Sequence, residues 1–223
     1  MATFDNAVPT RALSGVSTNK LIRNTYTLLA MTLVFSAAMA GLSMFVQVAP
    51  GFSLFASLGA LALLWFVLPR TANSAAGIGV VFAITGLLGF GLGPILSLYL
   101  ALPKGPEIVM TALGGTGVIF FALSGYALTT KKDFSFMGGF LFAGILVAFV
   151  AGIAAILFSM PALSLAVSAM FVLLMSGLIL YQTGQIVNGG ETNYVLATVT
   201  LYVSLYNLFT SLLHLLTAFS GDD

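Results

Sequence analysis

The stretch from Thr200 to His214, TLYVSLYNLFTSLLH, is apolar enough to sit in a bilayer. Yet Thr200, Ser204, Asn207, Ser211 and His214 recur in it at spacings of four, three, four and three. That spacing places all five on one stripe of an α-helix. In water such a stripe would face solvent. In lipid each hydroxyl and amide must find protein, a hydrated cavity or a moving ligand, because hydrocarbon offers no hydrogen-bond partner.

Composition decides that lipid is the solvent. Of 223 residues, 60% are hydrophobic and only 6% are charged, whereas a soluble domain carries roughly 25% charged residues. Mean hydropathy is +1.12. Seven Lys and Arg against six Asp and Glu leave a formal net charge of +1, which gives no footing for nucleic acid or an acidic partner. The absence of cysteine removes disulfides, thiolate nucleophiles and thiol metal ligands together. With a single histidine besides, neither a metal centre nor a cofactor is expected.

Apolar runs of about 20 residues, enough to cross a bilayer, occur seven times. They are Tyr26 to Val48, Phe52 to Leu68, Ala75 to Leu102, Ile108 to Leu128, Phe136 to Phe158, Ala162 to Tyr181 and Tyr194 to Phe219. The fold class is therefore all-α: a polytopic membrane protein of seven transmembrane helices. A polar tail occupies residues 1–25, the helical domain 26–219, and a short second tail 220–223. The sequence Ala38 to Ala40 resembles a signal-peptide cleavage site, but the apolar run continues past it, so a retained first helix is expected.

Basic residues orient the chain. An N-terminus in the cytoplasm puts Arg11, Lys20, Arg23, Arg70, Lys131 and Lys132 on that side and only Lys104 on the other. The C-terminus, with Asp222 and Asp223, then lies outside the cytoplasm. The connection from Gln182 to Asn193 is a cytoplasmic hairpin in this reading.

The third span contains GLLGFGLGPIL, in which Gly86, Gly89, Gly91 and Gly93 precede Pro94. Proline cannot donate to the carbonyl four residues back, so a kink or break is expected there. The glycines read either as a face for close helix packing or as part of a broken helix lining a permeation path. Similar small-residue faces fall at Gly144, Ala148, Gly152 and Ala155, and at Gly114 to Gly117.

All six acids, Asp5, Glu107, Asp133, Glu191, Asp222 and Asp223, lie in tails, loops or span edges. A proton-coupled pump or a midplane calcium site needs a carboxylate in mid-span. Enzyme motifs fail as well. The Ser-Gly pairs at Ser124 and Ser176 lack a glycine two places earlier, and His214 is the one available general base.

The opening stripe has two readings. As packing, its side chains hydrogen-bond from a central helix to its neighbours. As function, it is one wall of a hydrated path, with Asn207 and Ser204 as ligands or gates. His214 is its candidate pH-responsive group, since imidazole titrates near neutral pH.

Several blocks together resemble the Bax inhibitor-1 family of seven-span membrane proteins. They are IRNTYTLLAMTLVFSA from Ile22, TGLLGFGLGPILSLYL from Thr85, ALTTKKDFSFMGGFL from Ala127 and LYQTGQIVNGGETNYVLATVTLYVSLYNLF from Leu180. The last block is most similar to the bacterial YccA-like branch, inner-membrane proteins described as modulators of the FtsH protease.

The resemblance implies a bundle in which six helices surround the seventh. It also implies a membrane-anchored ATP-dependent protease of the FtsH type as partner, with the tail from Met1 to Arg23 as the handle that protease grips. Some family members are pH-sensitive calcium leak channels, gated by an aspartate pair on the sixth and seventh helices and assisted by an arginine after the second. The corresponding positions here are Gln182, Ser204 and Arg70. Both carboxylates are missing. Gln182 and Ser204 do not titrate, and a hydrogen bond between them would hold the bundle closed, leaving calcium as the transported ion only in the alternative reading.

Overall fold

Helices carry the whole fold among the described residues, and no strand occurs there. The computed structural model describes the backbone of residues 10–221 and the side chains of residues 18–221. Helix α1 spans Thr10–Phe45. It is followed by α2 (Phe52–Thr71), α3 (Ala75–Leu100), α4 (Gly105–Thr130), α5 (Met137–Leu157), α6 (Pro161–Asn188) and α7 (Tyr194–Ser220). Even α2, with 20 residues, reaches about 30 Å at the α-helical rise, the thickness of a hydrocarbon core.

Local chemistry sets the helix ends. Asn193 precedes α7, and its Oδ1 accepts from the backbone N–H of Val195 at 2.8 Å and of Leu196 at 3.3 Å. These are two of the donors that a helix start leaves unpaired. Gly189 closes α6 at φ 78°, a left-handed conformation that costs glycine little. Pro161 sits in the first turn of α6, where its missing N–H is not needed.

Two boundaries differ from the sequence reading. Helix α6 runs on to Asn188, so Gln182 is helical and the connection shrinks to Gly189–Asn193. The polar run Gln182 to Gln185 looked like a loop, but Gln182, Thr183 and Gly184 are buried, and protein replaces water around them. Helix α1 begins at Thr10, well inside the segment assigned to a polar tail; residues 1–9 lie outside the described residues. Within α2, Leu63–Val67 forms a π-helical turn. It precedes Pro69, which has no N–H to offer the carbonyl of Trp65, and a wider turn adapts the backbone there.

Helix α7 is the centre. It packs against α1, α3, α4 and α6, while α2 lies chiefly on α3 and α5 on α6. Buried positions make up 61% of the most apolar window of α7, against 17% in α2 and in α5. The outer helices turn Phe55, Trp65, Phe140 and Ile156 outward, where lipid solvates them.

The expected break at Pro94 is absent, and α3 is continuous from Ala75 to Leu100. Its glycines are packing surface. A Cβ on Gly86 would come 2.8 Å from the Phe35 ring, one on Gly93 2.5 Å from Ser43 Cβ, and one on Gly91 2.8 Å from Ala56 Cβ. At Gly89 the added atom would meet the backbone of Ser36, 2.8 Å from its Cα. Gly144 likewise admits Leu174 of α6, but Gly114 and Gly117 have nothing within 4 Å. The Gly114 to Gly117 run therefore makes no comparable interface.

Gly89→Ala is expected to lower stability by about 1–3 kcal/mol, because α1 backbone must move to admit the methyl group. Gly79→Ala, with nothing within 4 Å, should be neutral or slightly stabilising. Thermal unfolding of the two variants in detergent checks the difference.

Candidate functional site

The α7 stripe bonds mainly to itself. Ser204 and Ser211 are buried, while Thr200, Asn207 and His214 are half-buried. Ser204 Oγ donates to the Thr200 carbonyl at 2.7 Å, and Asn207 Nδ2 donates to the Val203 carbonyl at 2.8 Å. Both acceptors belong to α7, so these side chains do not tie it to its neighbours as the packing reading supposes. A side chain in a helix reaches the carbonyl one turn back more readily than a separate helix.

His214 is the member of the stripe that crosses. Its Nδ1 lies 2.8 Å from Ser168 Oγ on α6. Ser168 has one hydroxyl proton, and it donates to the Ser164 carbonyl at 3.1 Å. With that proton so placed, the ring nitrogen is the donor of the shared contact, Nδ1–H to Ser168 Oγ. No carboxylate bonds to this Ser–His pair among the described residues, so nothing orients the ring as a catalytic base. No group of three metal-binding side chains forms among the described residues either.

Other residues connect α7 to the bundle. Tyr202, 2% exposed, donates to the Thr85 carbonyl of α3 at 3.3 Å, and its Oη accepts from Ser36 Oγ of α1 at 2.5 Å. Thr198 Oγ1 donates to the Tyr194 carbonyl at 2.7 Å and shares that proton with the Thr25 carbonyl of α1 at 3.2 Å. Beside them Thr183 of α6 lies 3.3 Å from Tyr26 Oη and 3.4 Å from Ser124 Oγ of α4.

The four gate or pore-lining candidates, Gln182, Ser204, Asn207 and Arg70, are not joined to one another by any hydrogen bond. Gln182 is 6% exposed, and its Nε2 has no partner within the protein. The expected bond from Gln182 to Ser204 is therefore absent; Ser204 spends its proton on Thr200 instead. Arg70 is exposed at the end of α2, and its Nη1 donates to the Phe66 carbonyl in its own helix.

At the end of the bundle that carries the α2–α3, α4–α5 and α6–α7 connections, amide side chains clasp the loops together. Asn193 Nδ2 donates to the Ala72 carbonyl at 3.0 Å and to Asn73 Oδ1 at 2.8 Å. Asn188 Nδ2 donates to the Lys132 carbonyl at 2.9 Å, and Gln185 Nε2 to Ser135 Oγ at 2.8 Å. The Ser135 hydroxyl, and then its amide, hold the Asp133 carboxyl below the usual carboxylate range. A shallow cleft of about 480 Å³ opens between Asn73, Ser74, Thr192 and Asn193.

This arrangement can be set beside known proteins. The family described as inhibitor of apoptosis-promoting Bax1 matches residues 18–221. The chain belongs to the Bax inhibitor-1 family. It is 51% identical over 207 residues to the Escherichia coli protein named modulator of FtsH protease YccA, covering 93% of this chain and 94% of that one. An uncharacterized membrane protein of Vibrio cholerae is 45% identical over 208 residues, 93% of each chain. A Pseudomonas aeruginosa protein is 46% identical over 213 residues, covering 96% and 93%.

Sequence reasoning missed the clasp and the Tyr202 bonds. The clasp was legible in part, because Asn188, Asn193 and Gln185 crowd into one short hairpin. Tyr202 gave no such signal, since a tyrosine in an apolar run reads equally as an interface anchor. Tyr202→Phe leaves Ser36 and the Thr85 carbonyl without their shared partner and should cost about 1–3 kcal/mol. Asn207→Ala removes a bond internal to α7 and should cost less. Unfolding in detergent of the two variants, side by side, measures which polar group holds α7.

Proposed function

We propose that this protein is an inner-membrane partner and modulator of a membrane-anchored ATP-dependent protease of the FtsH type. The observation that carries the reading is its 51% identity, over nearly the whole chain, to the Escherichia coli protein named for that role. Two features of the fold support it. The amide clasp gives one end of the bundle a surface of fixed shape. Helix α1 also starts at Thr10, so part of the polar segment ahead of the apolar run at Tyr26 is helical.

Orientation follows from the exposed cations at that end. Lys20, Arg23, Arg70, Lys131 and Lys132 are all exposed there, and basic residues are retained on the cytoplasmic side. The clasped end and the N-terminus then meet the compartment that supplies ATP, and the C-terminus is periplasmic. Reporter fusions at the two termini should give opposite sides; the same side for both would refute the arrangement.

The calcium-leak reading gains no support from the site. Calcium needs anionic oxygen, and among the described acids Glu107 lies in the first turn of α4 while Asp133 and Glu191 lie in loops. Crosslinking in native membranes followed by affinity capture should recover the protease. Deleting Ala2 to Ser17 while keeping Lys20 and Arg23 should preserve insertion yet lengthen the protein's lifetime. Absence of the protease from the eluate, with unchanged turnover, would defeat the proposal. Calcium flux in liposomes that switches with pH would favour the leak.

A further inference from the structure

Two buried polar atoms lack a partner where α1 meets α6. They are Gln182 Nε2 and Thr25 Oγ1, on residues 6% and 0% exposed. Each directly precedes a member of a bonded pair, because Tyr26 Oη and Thr183 Oγ1 lie 3.3 Å apart.

Helix geometry carries that adjacency further. Spans one and six of an alternating bundle run antiparallel. In a right-handed helix the preceding residue is rotated by about 100°. Between antiparallel helices, that rotation takes the residues before two facing positions to the same side of the plane containing both axes. Thr25 and Gln182 therefore project to one side of the α1–α6 contact. Helix α7 occupies that side, since Thr198 Oγ1 lies 3.2 Å from the Thr25 carbonyl.

We infer that this junction is a binding site for an internal water molecule, held by Gln182 Nε2, Thr25 Oγ1 and Thr198 Oγ1 from α6, α1 and α7. The carboxamide donates to the water oxygen. The water donates in turn to the two threonine oxygens, whose lone pairs accept. Three polar contacts match what buried water makes on average in proteins. An unpaired amide donor in a membrane interior is otherwise costly, with neither lipid nor bulk water to relieve it. All three groups are neutral, so occupancy does not depend on pH.

A structure of the full chain in lipid, at a resolution that shows ordered solvent, should place a peak within hydrogen-bond distance of Gln182 Nε2. Nε2 turned onto a protein acceptor, with no solvent beside it, would overturn the site. Thermal unfolding gives a second measurement. Gln182→Met and Thr25→Val should each lower the melting temperature, and the double variant should lose less than their sum, because both release the same water. A higher melting temperature for Gln182→Met, uncoupled to Thr25→Val, would mean that the amide was simply unpaired, and the proposal would fail.

Discussion

Hydrocarbon supplies no hydrogen-bond partner, and the bundle is arranged around that fact. Helix α7 carries more hydroxyl, amide and imidazole groups than any other span. Facing lipid they would cost several kcal/mol each where unpaired. Placed in the middle, they meet carbonyls of α7 itself, of α1 and of α3, or the Ser168 hydroxyl of α6. The outer spans α2 and α5 are almost purely apolar and pack on the surface of the inner group. Position in the bundle follows polarity, inverted from the order expected in water.

What draws the helices together is contact, since lipid tails are as apolar as leucine and burial gives little net drive. The face of α3 shows the consequence. Gly86, Gly89 and Gly93 bring it against α1 closely enough that the Ser36 backbone occupies the space a side chain would need. Close approach then lets short polar side chains reach across: Ser36 meets Tyr202, and Tyr202 meets the Thr85 carbonyl. The glycines and the buried tyrosine are parts of one device, the first setting the spacing and the second fixing the register.

Much of this was legible in the sequence because hydropathy over about 20 residues is a strong signal. The seven spans, the continuous small-residue face of α3 and the all-helical class could be read directly. The ends could not. Gln182 and Thr183 looked like loop because polarity ordinarily means water, whereas here Phe134 and α1 cover that turn of α6. The stripe at Thr200 to His214 was visible as a periodicity, but its bonding was not. Periodicity says which side chains share a face; it does not say whether a serine gives its proton to a neighbour or to the carbonyl one turn behind. Gln182 shows the same limit, since its lack of a partner depends on where three separate helices place their side chains.

The polar interior that results holds no carboxylate among the described residues. Gln182, Ser204, Asn207 and the buried threonines keep one charge state across physiological pH, and the one imidazole gives its Nδ1 proton to Ser168. A pair of carboxylates at the positions of Gln182 and Ser204 would repel when ionised and attract when sharing a proton, giving the bundle two packings and a pH that chooses between them. Side chains without a titratable pair provide no such opposition. On the proposed function, the surfaces open to a partner outside the bilayer are the clasped loops and the polar start of α1. That is where the proposed ATP-dependent protease, anchored beside it in the same bilayer, would make contact.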